Sequence, residues 1–277
     1  MRRAASTFCA VFVLLGTAST RCAGAAPPAL SLDLGFQQMY DLQFAAAHGT
    51  FQEWEHLHPD DPLGPTSDAA AYLFSELHRL GVLEWELFLD DARFKQGKKL
   101  APDPAIQQSF DRALERSDQV ANRVLARSPN DPNALLAKVM NQGLRSDYLA
   151  LIEKRYISSV GYMKTAGILA ERLLAIDPSC YDAYLAVGVE NYILGLKPAP
   201  LRWALRVYGA QTDKDQGLRK LRLTAEKGRL LRPFARLLLA VAALRDKDRN
   251  QARDLLAGLV RQFPDNTLYR TELDRLH

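Results

Sequence analysis

Four residues near the start of the chain could hold a metal: His48, Glu53, His56 and His58. Imidazole and carboxylate are ordinary zinc ligands, and Glu53 and His56, three apart, share a face if the segment is helical. The spacing argues against a metal centre, because helix-borne zinc pairs stand four residues apart and His-x-His lacks a third fixed ligand. A polar helix end running into the Pro59 turn is the better reading. Glu84 and Glu86 flank Trp85 and suggest acid–base work, but residues two apart on a helix point to different sides. Cys180 follows Asp177-Pro178-Ser179 at an expected helix start, where a helix N-terminus could lower a thiol pKa. No histidine neighbours it in sequence, and a small residue packed in a turn is expected. The chain has no Gly-rich phosphate loop, no Gly-x-Ser-x-Gly and no His-Glu-x-x-His. The expectation is a protein that is not an enzyme, without catalytic, metal-binding or cofactor-binding residues.

The strongest sign of a partner is charge. From 26 to 196 there are 15 Lys/Arg against 23 Asp/Glu, whereas 197 to 263 carries 16 against 6. Within the basic part, Arg219, Lys220, Arg222, Lys227, Arg229, Arg232 and Arg236 form one basic stretch. Arg219, Lys220, Arg222, Arg229, Arg232 and Arg236 are therefore the candidate partner-binding residues. They could meet an anionic surface, pair internally with the acidic half, or form a solvated face. Nucleic acid is not expected, since the stretch lacks interleaved aromatics for stacking bases and the chain reads as exported.

These side chains need elements to position them, and the first residues are not among those elements. Arg2 and Arg3, a short apolar run from Phe8 to Leu15, and Ala23-Gly24-Ala25 have the layout of a secretory signal peptide. The expectation is a leader over 1–25, cleaved after Ala25, and a periplasmic or secreted protein that is not transmembrane once cleaved. A lipoprotein built on Cys22 is the weaker alternative, because Arg21 stands where a small residue belongs. So is an uncleaved anchor, since the apolar run falls short of the roughly 20 residues a span needs. Cleavage would leave Cys180 as the single thiol, so helix packing rather than a disulfide must hold the fold.

Beyond the leader the chain reads as helix. Residues 69–90, 105–127, 134–175 and 235–245 contain no proline and are rich in helix formers. Leu73, Leu77, Leu80 and Leu87, and Phe110, Leu114, Ala121 and Leu125, recur at helical intervals. The segment 121–137 aligns with 170–186 at an offset of 49, with eight of 17 positions identical. Both copies run from a helix ending in Leu-Ala, through a proline turn, into a helix with inward Ala and Leu.

A third copy closes the chain. Within the 34 residues from Pro233 to Asn266, Leu239 and Ala240 hold places seven and eight, Ala252 place twenty and Pro264 place thirty-two. The unit resembles a tetratricopeptide repeat (TPR), whose period is 34 residues. In the same frame Ala166 holds place twenty before Pro178, and Tyr181 opens the next unit, with Val187 and Gly188 at seven and eight. Offsets that are not multiples of the period require insertions, for which 143–156 and 195–217 are the candidates. In the second, Leu196 to Pro200 breaks the chain and Trp203, Leu205 and Val207 open a short helix.

The run Asp177 to Tyr192, the segment from Asp213 to Gly217-Leu218, and the turn Phe263-Pro264-Asp265-Asn266 together resemble a family of exported bacterial TPR-like proteins without an assigned activity. A fainter similarity runs to the inclusion-body-clearance TPR family. The resemblance covers roughly 105 to the C-terminus and implies a helical scaffold, with no functional residue carried over. TPR grooves that clamp a peptide carboxylate use Lys, Arg and Asn; the corresponding places here hold Leu185, Val189 and Tyr192, and then Leu237, Val241 and Leu244. The clamp is absent, and cover by neighbouring helices is the preferred fate of these apolar residues.

The reading is an all-α, TPR-like right-handed helical-hairpin solenoid with irregular insertions. Residues 26–196 form an N-terminal helical region, continued by a basic region over 197–277. The expected function is a non-catalytic scaffold binding a protein or peptide partner in the cell envelope or outside the cell. A cell-wall-directed helical hydrolase or glycan-binding enzyme, and a peripheral module on anionic membrane surfaces, are the alternatives.

Overall fold

Among the described residues, six helices begin where a short polar side chain can accept a hydrogen bond from the orphan N–H groups of a first turn. Ser31, Asp103, Asp131, Asp213, Asp248 and Asn266 each do so. Pro104 and Pro132 take the first helical position, where a missing N–H costs nothing. A computed structural model of the chain describes residues 30–82, 100–207 and 209–276. Glu84, Glu86, Leu87 and the leader expected over 1–25 lie outside them.

The helices are α1 (Leu32–Tyr40), α2 (Phe44–Leu57), α3 (Leu63–Arg79), α4 (Pro104–Arg127), α5 (Pro132–Asp147) and α6 (Tyr156–Ile176). They continue with α7 (Tyr184–Gly195), α8 (Ala199–Val207), α9 (Lys214–Lys227), α10 (Arg232–Arg245), α11 (Arg249–Gln262) and α12 (Thr267–Asp274). No strand occurs among the described residues. From α1 to α7 and again from α9 to α12, each helix packs on the next in the chain, and α1 packs on α3, α3 on α5 and α5 on α7 as well. A helix touching its hairpin partner and the first helix of the following hairpin is the contact pattern of a TPR-like stack.

Small side chains stand where the repeat frame puts them. Ala134, Ala170, Ala183, Ala240 and Ala252 are fully buried, and Gly188 is buried. The helices come closest at α7 and α9. A Cβ on Gly217 would lie 2.5 Å from the Tyr192 backbone N and 2.8 Å from the Gly188 carbonyl oxygen. On Gly195 it would lie 2.6 Å from the Lys214 backbone N. Backbone meets backbone here because neither glycine has a side chain.

Both expected insertions are real, and each takes a distinct form. The helical stretch expected over 134–175 is broken. After α5 the chain widens into a π-helical turn, Tyr148–Ile152, and Lys154 adopts a left-handed φ of 59° before α6 begins. No proline or glycine stands at that break, so composition did not mark it. Ile152 is fully buried and Tyr148 stacks on Phe110 with ring centroids 5.2 Å apart, so tertiary packing drives the widening. The second insertion is α8, an excursion between α7 and α9, which pack directly on each other. The α3 stretch also ends earlier than its leucine spacing suggests, at Arg79, where Gly81 takes a φ of 66°. Tyr181 lies in the turn before α7, which starts at Tyr184.

One feature had no sign in the repeats. The beginning of the stack touches its end. Tyr40 Oη donates to the Leu230 carbonyl at 3.2 Å, and Asn266 Nδ2 donates to the Tyr40 carbonyl at 2.7 Å. Phe74 meets Phe234 edge to face at 5.5 Å, and the Tyr40 and Phe263 rings lie 5.7 Å apart. Arg229 pairs with Asp33 in a two-pronged contact, and the Asp265 N–H donates to Asp41. The ion pair is half exposed and contributes little by itself; the buried aromatics carry the junction.

Candidate functional site

The apolar places along the first helices of the last two units are covered from within. Leu185 and Val189 pack with Leu221 of α9, and Tyr192 is buried beside them. Val241 is buried and Leu237 borders a small cleft with Met39, Tyr40, Phe74, Asn266 and Tyr269. The groove of the final repeat is thus filled by the first helices of the same chain, as the apolar character of Leu237, Val241 and Leu244 suggests.

The imagined metal cluster does not assemble. His48 turns away, its Nδ1 2.5 Å from Asp68 Oδ1 and its ring 4.0 Å from that of Tyr72. Glu53 and His56 are exposed, and His58 lies against the Trp54 ring at 4.0 Å. Among the described residues, no three His, Cys, Asp or Glu side chains converge as metal ligands. The His48–Asp68 contact belongs instead to a polar seam between α2, α3 and α4. Arg116 reaches Asp68 at 3.7 Å and Glu55 at 3.3 Å, so the nearly inaccessible Asp68 carboxylate faces two cationic or donor groups. Beside it, Thr66, Ser117 and Asn141 satisfy one another in the core. A fully paired seam of this kind fixes helix register.

Cys180 sits half-buried in the turn before α7. Burial pushes its thiol up to about 11, the reverse of the lowering that a helix N-terminus could give, so the bland expectation stands.

The basic stretch is divided among different tasks. Arg229 pairs with Asp33, Arg232 Nε donates to the Gly228 carbonyl, and Arg236 donates to the Ala225 carbonyl and to Gln262. These three therefore brace the α9–α10 turn and the junction with α1. The remaining cations share the outer side of α9. Arg219 and Arg222 border solvent; Lys220 Nζ lies 4.8 Å above the Tyr184 ring and Lys227 Nζ 5.2 Å above Tyr181. The two tyrosine rings are themselves stacked 6.2 Å apart. The opposite side of α9, with Gly217, Leu221, Thr224 and Ala225, is buried against its neighbours. The candidates thus resolve into an internal brace and an outward cation–aromatic face.

No family model and no curated protein matches the chain. Among solved structures it is similar to a thermophilic TPR protein of Thermus thermophilus at 16% identity and a TM-score of 0.44, over 88% of this chain and 96% of that one.

The buried acids Asp182 and Glu190 and the half-buried Asp147 escaped the reading of the sequence. Asp182 was visible only as part of a turn motif, yet its carboxylate accepts the backbone N–H groups of Arg229, Leu230 and Leu231, each at 3.0 Å. Glu190 lies under α6, where Gly167 leaves room for its carboxyl group, and it accepts from the Gln211 N–H at 3.2 Å. A lone acid in the apolar run Val187 to Leu194 was the available signal. Burial pushes Glu190 up to about 7, against the Gln211 N–H and with nearby Glu171 adding to it; burial alone pushes Asp147 up to about 7 as well.

That pair sets a pH dependence. Each carboxyl holds its proton more tightly folded than unfolded, so between about pH 4.5 and pH 7 the native state binds more protons and stability falls as pH rises. The thermal midpoint is expected to be higher at pH 5.5 than at pH 8. Glu190→Gln with Asp147→Asn should flatten the curve across that window; a wild-type midpoint that rises from pH 5.5 to pH 8 contradicts the assignment.

Proposed function

We propose that the chain is a non-catalytic, TPR-like scaffold that binds a protein or peptide partner in the cell envelope or outside the cell. The observation that carries this reading is the outward face of α9. Lys220 and Lys227 stand over Tyr184 and Tyr181, and Arg219 and Arg222 are exposed on the same helix, which also carries the exposed acids Asp215 and Glu226. Cations held over aromatic faces keep their charge toward solvent while the rings supply rigid apolar area, a combination suited to an acidic segment of a partner. The filled groove of the last repeat supports an outer surface rather than a concave one as the binding side. The signal-like layout of residues 1–25 supports the location. No helix among the described residues is long and apolar enough to cross a membrane.

Capture from an envelope extract tests the reading. The chain lacking residues 1–25 should retain a discrete protein, and Arg219→Glu with Arg222→Glu should weaken its retention by on the order of tenfold, mainly through lost charge complementarity. Equal retention by the double variant, or none by the wild type, sinks the proposal.

A further inference from the structure

Helix α8 turns apolar side chains outward. A surface helix ordinarily buries its apolar stripe and turns its charges to water. In α8 Trp203, Val207 and Leu201 are 71%, 65% and 48% exposed, whereas Arg202 is half-buried and donates from Nη1 to the Gly195 carbonyl at 3.2 Å. Arg202 tethers the helix to the end of α7, while Leu201, Trp203 and Val207 are left outward. No other described helix packs along it.

The local charge points to one kind of cover. Between Glu190 and Asp213 the chain contains no acid, and its charged residues are Lys197, Arg202 and Arg206. A short amphipathic helix carrying Trp, aliphatic residues and Lys or Arg, with no carboxylate, has the composition of elements that lie in the interfacial plane of a bilayer. There the indole sits among headgroups, the aliphatic side chains reach the acyl boundary, and cations meet anionic lipid phosphates.

We propose that α8 is an interfacial anchor that lays Trp203 and Val207, four residues apart on one side of the helix, into the surface of an anionic membrane. The anchor is independent of the α9 face, so the scaffold would stand at a bilayer with its partner-binding side separately available. Because α8 is an excursion from the stack, seating it requires no rearrangement of the repeats.

Co-sedimentation of the chain lacking residues 1–25 with vesicles tests this. One set contains phosphatidylcholine alone and the other also contains phosphatidylglycerol. Binding is expected to the second set, to fall on raising salt from about 0.1 M to about 0.5 M, and to weaken about tenfold or more in Trp203→Ser with Val207→Ser. Both replaced side chains are exposed, so that variant should keep the wild-type circular dichroism and melting point. Lys197→Glu should also weaken binding. Absence of binding to either set overturns the proposal. So does undiminished binding by the Trp203→Ser, Val207→Ser variant, which would assign lipid affinity to α9 instead. A lipid-free dimer in sedimentation velocity that the same variant abolishes would assign the apolar face to a second copy, and would also overturn it.

Discussion

Gly217→Ala is expected to cost about 3 kcal/mol of folding free energy, at the upper end for overpacking a core, although alanine is the better helix former by about 1 kcal/mol. The added methyl would stand 2.5 Å from the Tyr192 backbone N and 2.8 Å from both its Cα and the Gly188 carbonyl oxygen. Those atoms belong to the spine of α7 and cannot rotate aside, so α7 and α9 must separate. Their separation would strip Leu221 and Tyr192 of the neighbours that bury them. The control is the same change where space is open. Nothing stands within 4 Å of a Cβ on Gly143, and only the flexible end of Arg261, at 4.0 Å, approaches one on Gly258. Gly143→Ala and Gly258→Ala should each stabilise by up to about 1 kcal/mol. Denaturant melts of the three variants decide the matter. A Gly217→Ala protein as stable as the other two would mean that α7 and α9 are not in backbone contact.

Asp182→Ala should cost a similar or larger amount, about 3–5 kcal/mol, because it orphans three donors at once and each unmet buried donor costs about 1–3 kcal/mol. The Asp182 side chain stands in for a missing turn of helix: it receives the N–H groups of Arg229, Leu230 and Leu231 between α9 and α10. Losing it frees the segment that also presents Leu230 to Tyr40. Asp182→Asn should recover only part of the loss, since the amide offers one acceptor oxygen and sets an N–H against an N–H. Equilibrium unfolding measures both, and an alanine variant within about 1 kcal/mol of wild type would contradict the role.

The legible part of this fold was its punctuation. Asp131-Pro132, Asp103-Pro104 and Asn266 mark helix starts through local hydrogen bonds, and Ala240, Ala252 and Gly188 mark helix contacts through volume, so each can be read from a few neighbouring letters. The π turn at Tyr148 could not be read this way. It depends on Phe110 in another helix, and no local residue breaks the α5 pattern. The same holds for Asp182, whose partners lie 47 to 49 residues away. The basic residues were visible as one run, but sequence alone could not separate Arg229, Arg232 and Arg236, which bind backbone and Asp33, from Arg219 and Arg222, which face outward.

The contact between Tyr40, Leu230 and Asn266 changes what kind of object the stack is. An ordinary row of hairpins has two loose ends, and its units can melt or fold one after another from either of them. Stitching first to last removes both starting points. Helix α1 waits for residues made more than two hundred positions later before Tyr40 meets Phe263 and Asn266. Trimming a few residues from the tail should therefore loosen the front, and the molecule should come apart all at once.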